Sequence, residues 1–193
     1  MRITAGEFRG RILQVPKGDA IRPTSDRTRQ AIFNIIFSGN WLEDGEEFDL
    51  EGAAVLDVFC GTGALGLEAI SRGAESCTFI DKDRTSIECA KANAEMLKLG
   101  SRASFILREA AKIGPKPVAL QPARMVFVDP PYRKDLVPPA LLALSDGGWI
   151  ETGAVVIVET ESTIAGNDLV NLPFELRDTR PYGDTLIRIL RKI

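Results

Sequence analysis

Three stretches of this chain carry side chains whose types and spacing could do chemistry. The first is Asp57-Val-Phe-Cys60-Gly61-Thr-Gly63-Ala-Leu-Gly66, an acid leading into a glycine-rich turn. The second is Asp81-Lys82, whose acid lies 20 residues beyond Gly61. The third is Asp129-Pro130-Pro131-Tyr132, an acid, two prolines and an aromatic. Gly61-x-Gly63-x-x-Gly66 with Asp81 satisfies the dinucleotide fingerprint, in which glycines admit close backbone approach and the acid takes ribose hydroxyls. Such turns serve several nucleotide cofactors, and charge separates them. A dinucleotide sets its pyrophosphate on a helix N-terminus, where a nearby carboxylate repels it. Here Asp57, Asp81, Glu109 and Asp129 all fall at the ends of expected strands. A cleft ringed by carboxylates suits a cation without phosphates. S-adenosylmethionine meets that description, with a sulfonium, an ammonium, two ribose hydroxyls and an adenine amine. Gly61 and Gly63 would then admit its methionyl part and Asp81 its ribose. Glu109 would accept from the adenine amine or stay solvated.

The third stretch predicts the reaction. Two prolines lack N–H groups and fix φ, so the loop is stiff and its carbonyls are free to accept. An exocyclic amine on a conjugated base is a poor nucleophile, because its lone pair is delocalised into the ring. The Asp129 carboxylate and the Pro130 carbonyl could bind both of its N–H groups and aim the lone pair at a sulfonium methyl. Tyr132 offers a face on which an extruded base stacks. A stiff loop without chemistry is the plainer alternative, and the neighbouring glycine turn weighs against it. The chain contains no histidine, which excludes Ser-His-Asp and Cys-His triads, H-E-x-x-H zinc sites and any imidazole base. Amine orientation needs none.

Elements that must position these residues can be read from periodicity. Ala53–Val58, Ser76–Ile80, Ala103–Leu107, Met125–Val128 and Val155–Glu159 read as buried strands. Helices are expected through about Arg72, over Arg84–Leu97 and over Leu136–Leu144. Phe174–Arg180 and Thr185–Leu190, around Pro181-Tyr-Gly-Asp184, read as an antiparallel hairpin. Strands alternating with helices imply an α/β fold, a mostly parallel sheet of seven strands with helices on both faces. In such sheets ligands bind at the strands' carboxyl ends, near the point where strand order reverses. Ahead of this domain, residues 53–193, lies an extension, residues 1–40. It comprises a hairpin over Arg2–Val15 and a helix from Ala31, capped by Thr24 or Ser25 and apolar along Ile32/Ile36 and Phe33/Phe37. The acidic run 43–49 reads as a solvated linker.

Composition bounds the rest. At 193 residues, 45% hydrophobic and 26% charged, the chain is an ordinary globular domain. Its apolar runs are too short to span a bilayer, and its start lacks a signal-peptide core. Three cysteines with no C-x-x-C argue against a disulfide framework or a metal site, and a reducing, cytoplasmic home is expected. The net charge of −3 conceals an asymmetry. Residues 1–30 hold seven basic groups against three acids, leaving −7 on the remainder. Charge alone fits solvated arginines equally well. The six-to-one excess of arginine over lysine there tilts the reading towards phosphate, which the guanidinium fork suits. Arg9, Arg11, Arg22 and Arg27 are the candidate RNA contacts.

Asp57-x-Phe-x-Gly-x-Gly63 followed by Asp129-Pro-Pro-Tyr132 resembles the class I S-adenosylmethionine-dependent methyltransferases acting on amino groups, which have a Rossmann-like fold. Gly6-Glu-Phe-Arg-Gly-Arg11, Arg22-Pro-Thr-Ser-Asp-Arg27 and the helix bearing Asn34 narrow the resemblance to the bacterial 16S ribosomal RNA (guanine-N2)-methyltransferase RsmD family, over essentially the whole chain. The resemblance implies a monomer methylating a guanine amine of 16S rRNA within the small subunit or its assembly intermediate, away from any membrane. It implies cofactor contacts from Asp57, Cys60, Gly61, Gly63, Asp81, Lys82, Glu109 and Ala110, and a catalytic loop of Asp129, Pro130, Pro131 and Tyr132. After the third strand the family pattern has Asp or Asn, whereas this chain has Glu109-Ala110. Three alternatives stand beside this reading. An adenine-N6 DNA methyltransferase uses a similar loop but needs a target-recognition insertion. A NAD-dependent reductase conflicts with the acidic strand ends. A non-catalytic RNA-binding module leaves Asp129–Tyr132 unexplained.

Overall fold

A computed structural model describes residues 1–15, 26–38, 48–131, 135–161, 169, 171–183 and 185–193. Helix α1 (Asp26–Ser38) precedes strand β1 (Ala54–Val58), helix α2 (Ala64–Ser71), β2 (Ser76–Asp81) and α3 (Arg84–Met96). Then follow β3 (Ala103–Leu107), β4 (Ala123–Val128), α4 (Val137–Asp146), β5 (Ile150–Glu161), β6 (Phe174–Tyr182) and β7 (Thr185–Lys192). The seven strands form one sheet in the order β3-β2-β1-β4-β5-β7-β6. β1 to β5 run parallel, and β7 inserts antiparallel between β5 and β6. The chain leaves β1 for β2 and β3, then crosses back to β4 on the other side of β1. That reversal opens a crevice between the carboxyl ends of β1 and β4.

Buried side chains alternate along the strands and define two cores. Val55, Met125, Phe127 and Ile157 face one layer with Phe33 and Ile36 of α1, Leu67 and Ile70 of α2, and Ala90 of α3. Leu56, Val126, Val156 and Val158 face the other layer with Ala140, Leu141 and Leu144 of α4. α4 begins with Pro138 and Pro139 in its first turn, where a missing N–H costs nothing. No helix among the described residues is long and apolar enough to cross a membrane.

Several boundaries depart from the periodicity. β5 starts at Ile150, five residues earlier than expected, because it slips register against β4 between Ala123 and Met125, with Gly153 at φ 82°. The expected N-terminal hairpin reduces to a single antiparallel bridge, Arg2 with Ile12. Its strands are short because the segment spends its backbone groups on α2 instead. The proposed α1 caps, Thr24 and Ser25, lie outside the described residues, as does most of the acidic run. On α1, Phe37 is 42% exposed, stacked on Phe33 at 6.3 Å between ring centres. Arg29, counted above in the basic arm, is fully buried. Its guanidinium donates to the Arg2 carbonyl and pairs with Asp26 at 2.8 Å.

What draws the N-terminal segment down is a buried carboxylate, Glu68 of α2. Its Oε1 accepts from the Thr4 hydroxyl (2.6 Å), the Ala5 N–H (3.0 Å) and Arg72 Nε (2.8 Å). Its Oε2 accepts from the Thr4 N–H at 2.8 Å and lies 4.0 Å from Arg29 Nε. Arg72 also sits 4.5 Å from the centre of the Phe33 ring, which joins α1 to the same node. One residue on, Gly6 passes so close to α2 that a Cβ there would sit 1.7 Å from the Ser71 carbonyl oxygen. Only glycine fits this approach at φ 78°. Removing Glu68 leaves two buried or half-buried guanidiniums and three orphaned donors. Glu68→Ala should therefore lower the unfolding free energy by about 3–5 kcal/mol, read as a lower urea midpoint at unchanged slope. A loss under ~1 kcal/mol would show that the node is not what secures the segment.

Candidate active site

The glycine turn is shaped by the packing behind it. β1 ends at Val58, and Phe59 turns the chain with φ 62°, a left-handed conformation costly for an aromatic. The Phe59 and Cys60 N–H groups both donate to the Ile80 carbonyl, at 2.9 and 3.1 Å. Gly61 (φ 52°) and Gly63 (φ 78°) are also left-handed, and Gly63 is the residue from which α2 departs. A Cβ on Gly66 would lie 2.5 Å from both Cys77 Sγ and Phe79 Cε1, so this glycine sets how closely α2 packs on β2. The turn is thus pinned from three sides.

Two carboxylates hold its ends. Asp57 Oδ2 accepts from the Gly66 N–H at 2.9 Å, across the start of α2. Asp81 Oδ2 accepts from the Gly61 N–H at 3.1 Å, and its Oδ1 from the Asp83 N–H at 2.9 Å. Each Asp81 oxygen retains a lone pair, so a vicinal diol can still be accepted. The rear of the turn rests on Asn93 of α3, which is fully buried. Asn93 Nδ2 donates to the Thr62 carbonyl (3.0 Å) and to the Gln14 carbonyl (3.1 Å), while its Oδ1 accepts from the Gln14 N–H (2.7 Å). Thr62 and Asn93 were not singled out from sequence, since nothing in local pattern marks a residue that supports a turn from another element.

The expected site residues divide into groups. Asp57, Cys60, Gly61, Gly63 and Asp81 come together around the turn. Cys60 is buried, and burial with the adjacent Asp57 charge pushes its thiol far up, so it stays neutral. Lys82 is exposed just beyond Asp81. Glu109 sits at the surface, paired with Lys112 at 2.9 Å, and the pairing holds its carboxyl below the usual range. It leads into Ala110, which is buried against the opposite core. Asp129 follows β4, its N–H donating to the Val58 carbonyl at 3.3 Å, so the ladder between β4 and β1 continues to the acid itself. Pro130 is buried and Pro131 exposed, and Tyr132 lies outside the described residues. Arg9, Arg11 and Arg27 are exposed, and Arg22 lies outside the described residues.

Electrostatics links the strand ends. Burial pushes the Asp57 carboxyl up to about 8, against the Gly66 hydrogen bond, with the Asp129 and Asp81 charges adding to the rise. A further acid, Glu159 of β5, is 5% exposed and is pushed up to about 8 by burial and the Asp129 charge. It ends the expected strand Val155–Glu159, a position like those of the other acids, and its place could have flagged it.

Such a concentration of carboxyls has a signature in stability. A carboxyl whose folded pKa is raised stabilises the fold below its unfolded value of ~3.9, and that stabilisation is lost as pH rises through the folded value. For Asp57 the window closes at about 8. The urea midpoint of the free protein should therefore fall between pH 5 and pH 8.5. Asp57→Asn keeps an oxygen for the Gly66 N–H and should flatten the fall. A wild-type midpoint that rises over this interval would contradict the assignment.

The chain was compared with known proteins. The family described as "Conserved hypothetical protein 95" matches residues 1–191. Ribosomal RNA small subunit methyltransferase D of Escherichia coli is 37% identical over 194 residues, covering 100% of this chain and 90% of the relative. The protein of the same name from Haemophilus influenzae is 35% identical, over 83% of this chain and 79% of the relative. Among solved structures, the Escherichia coli protein yhhF, described as a methyltransferase, superposes with a TM-score of 0.78 at 33% identity, covering 100% of this chain and 97% of that one. A Pyrococcus horikoshii protein described as an RNA methyltransferase shares the fold at 16% identity, with a TM-score of 0.69 over 94% of this chain and 93% of that one.

Proposed function

Because the chain belongs to the RsmD family of small-subunit ribosomal RNA methyltransferases, we propose that it methylates the exocyclic N2 amine of a guanine in 16S rRNA with S-adenosylmethionine. One observation carries the reading. Asp129-Pro130-Pro131 leaves β4 beside the Gly61–Gly63 turn that follows β1, at the crevice where strand order reverses, and the Asp81 and Asp129 charges both act on Asp57 there.

Mutually repelling carboxyls are stabilised by a cation, and this donor-poor, acceptor-rich set fits the ammonium, sulfonium and ribose hydroxyls of S-adenosylmethionine. When bound, that group would supply an electrophilic methyl on a sulfonium sulfur. Asp81 would hold the ribose, and Lys82 and Ala110 would border the base. Asp57 acts on the turn through Gly66. Glu109, committed to Lys112, is left solvated in this reading. Gly61 and Gly63 let the turn approach the methionyl portion, with the Cys60 side chain packed behind. Asp129 and the Pro130 carbonyl accept the two amine hydrogens, which localises the nitrogen lone pair and points it at the methyl. Tyr132 stacks on the extruded guanine. Positioning, with no histidine, is the main device, and the proton that the methylated nitrogen must lose, now strongly acidic, passes to solvent.

The RNA reaches this crevice over the N-terminal segment, where Arg9 and Arg11 flank Gly10 in the exposed turn and Arg27 projects from α1. With Arg29 internal, the phosphate-facing charge is smaller than composition alone suggests. The substrate is the small subunit or its assembly intermediate, taken by a cytoplasmic monomer.

The direct test is to incubate the protein with radiolabelled S-adenosylmethionine and small subunits lacking the modification, then map the label. Label on a guanine N2 is expected, and label on an adenine or on protein would overturn the assignment. Asp81→Ala should weaken binding of S-adenosylhomocysteine by about 1.5–3 kcal/mol in calorimetry, as a charge-assisted acceptor is lost. Unchanged affinity would remove Asp81 from the site. Asp129→Ala should retain cofactor binding and lose ~10²–10³ in turnover, with Asp129→Asn milder because its oxygen still accepts. Equal loss in both variants would point to base catalysis instead of orientation. Arg9→Ala with Arg11→Ala should flatten the salt dependence of RNA binding by roughly one unit of slope per lost phosphate contact. A wild-type slope would mark both arginines as solvated.

A further inference from the structure

The hairpin around Pro181-Tyr-Gly-Asp184 is a motif for which the reaction above has no use. β7 runs antiparallel to β5, and Thr185 at its start pairs with Glu161 at the close of β5. The turn from β6 into β7 therefore stands at the carboxyl ends of the parallel strands, the end that holds the crevice. Tyr182 and Thr185 are paired, so two residues close the turn, with Gly183 at φ 59°. Pro181 stiffens the approach to it, on an edge strand, where sheets tolerate proline. The Thr185 hydroxyl is bonded to the buried Glu159 carboxyl, which ties the root of the turn to the end of β5.

Strand pairing fixes where the Tyr182 ring faces. Tyr182, Thr185 and Glu161 stand opposite one another across β6, β7 and β5, so their side chains leave one face of the sheet. Further along β7, Ile187 and Ile189 of that face pack in the layer of α1 and the N-terminal Ile3 and Leu13. Val128 pairs with Val158, so Asp129 is level with Glu159 and, through it, with Ile187 and Arg180. Tyr182 lies one pleat beyond that level. Three strand spacings, about 14 Å, separate β4 from β6. That is too far to hold a guanine at Asp129, and it suits a neighbouring nucleotide of the same RNA strand. The side chain is 41% exposed. Among the described residues its ring stacks on no aromatic and lies under no cation. Its surroundings are not basic, since Arg180 on the same face is paired with Asp178 at 2.8 Å and Glu161 stands across from Thr185. Phosphate does not suit this turn. A neutral π face suits a base, which needs no counter-charge to stack.

We propose that Tyr182 is a stacking platform for an unpaired base of the substrate RNA, a nucleotide flanking the guanine held at Asp129. This rests on the reading of the reaction given above. Extruding a guanine from its stack uncovers the faces of its neighbours. A flat ring at a fixed height beside the crevice covers one of them and so favours the strand with its target extruded. Every base has a π face, so Tyr182 adds affinity and register without reading sequence. The phenol oxygen stays in water while the body of the ring is covered.

Binding of the full chain to unmodified small subunits, with S-adenosylhomocysteine present, tests this. Tyr182→Ala should weaken binding by roughly ten- to a hundredfold, and Tyr182→Phe should stay within about twofold of wild type because the face is kept. Tyr182→Leu keeps apolar bulk on the strand and should lose as much as the alanine variant. S-adenosylhomocysteine affinity and the urea midpoint should be unchanged in all three. The salt dependence of binding should keep its wild-type slope, since no phosphate contact is lost. A photoreactive p-benzoylphenylalanine placed at position 182 should crosslink to rRNA within a few nucleotides of the labelled guanine. If the alanine variant fails to fold, the leucine variant and the crosslink still decide. Wild-type affinity without the ring, a shallower salt slope, or crosslinks confined to ribosomal protein would overturn the platform while the reading of the reaction stands. Label on a residue other than guanine would overturn the reading of the reaction, and with it the flanking position assigned to Tyr182.

Discussion

Helix α2 is held at its first turn by Asp57, which accepts from the Gly66 N–H, and by the absence of a side chain on Gly66 itself. Neither contact works without the other. A Cβ at Gly66 would press into Cys77 and Phe79, lift the helix off the sheet and carry its N–H away from Asp57. With the helix down, residues 59–63 must cover the distance from β1 to α2 in a few left-handed steps, and that forces the tight turn at the crevice. The far end of the same short helix carries Glu68, Ser71 and Arg72, which gather Thr4, Ala5, Gly6 and α1. This short helix and its C-cap therefore set both the glycine turn and the anchorage of the N-terminal segment.

The crevice spends stability on charge. Asp57 and Glu159 are buried acids with raised pKa values, and neither is rescued by a nearby cation among the described contacts. Such a group costs more than a neutral isostere in a purely structural role. Under the function proposed above, its use lies in preorganisation, since acceptors already aimed at a cationic ligand need no rearrangement when it arrives. At the α2 node, by contrast, the buried charges are paired: Glu68 has Arg72 at 2.8 Å, and Arg29 has Asp26 at the same distance. This contrast between a compensated node and an uncompensated crevice agrees with the function proposed for the crevice.

Asn93 gives the two ends a physical connection. It binds the backbone of Gln14, at the close of the N-terminal segment, and the Thr62 carbonyl inside the glycine turn. The surface that bears Arg9 and Arg11 is thus built on the same support as the turn between β1 and α2.

Much of the architecture was legible in the chain itself. Apolar runs and their lengths located all seven strands, and the rule that ligands sit at carboxyl strand ends put Asp57, Asp81 and Asp129 at one end of the sheet. These inferences need only local periodicity and the handedness of strand–helix–strand units. Tertiary structure decided what periodicity cannot carry. It assigned Arg29 to the interior and left Arg9 exposed, though both read as members of one basic arm. It committed Glu109 to Lys112 at the surface and buried Glu159 under the Asp129 charge, though both read as acids at or just beyond the ends of expected strands. It lengthened β5 through a slip against β4 that leaves no local mark. Burial and the charge around an ionisable group are set by whatever other elements pack against it, and those neighbours lie tens of residues away in sequence.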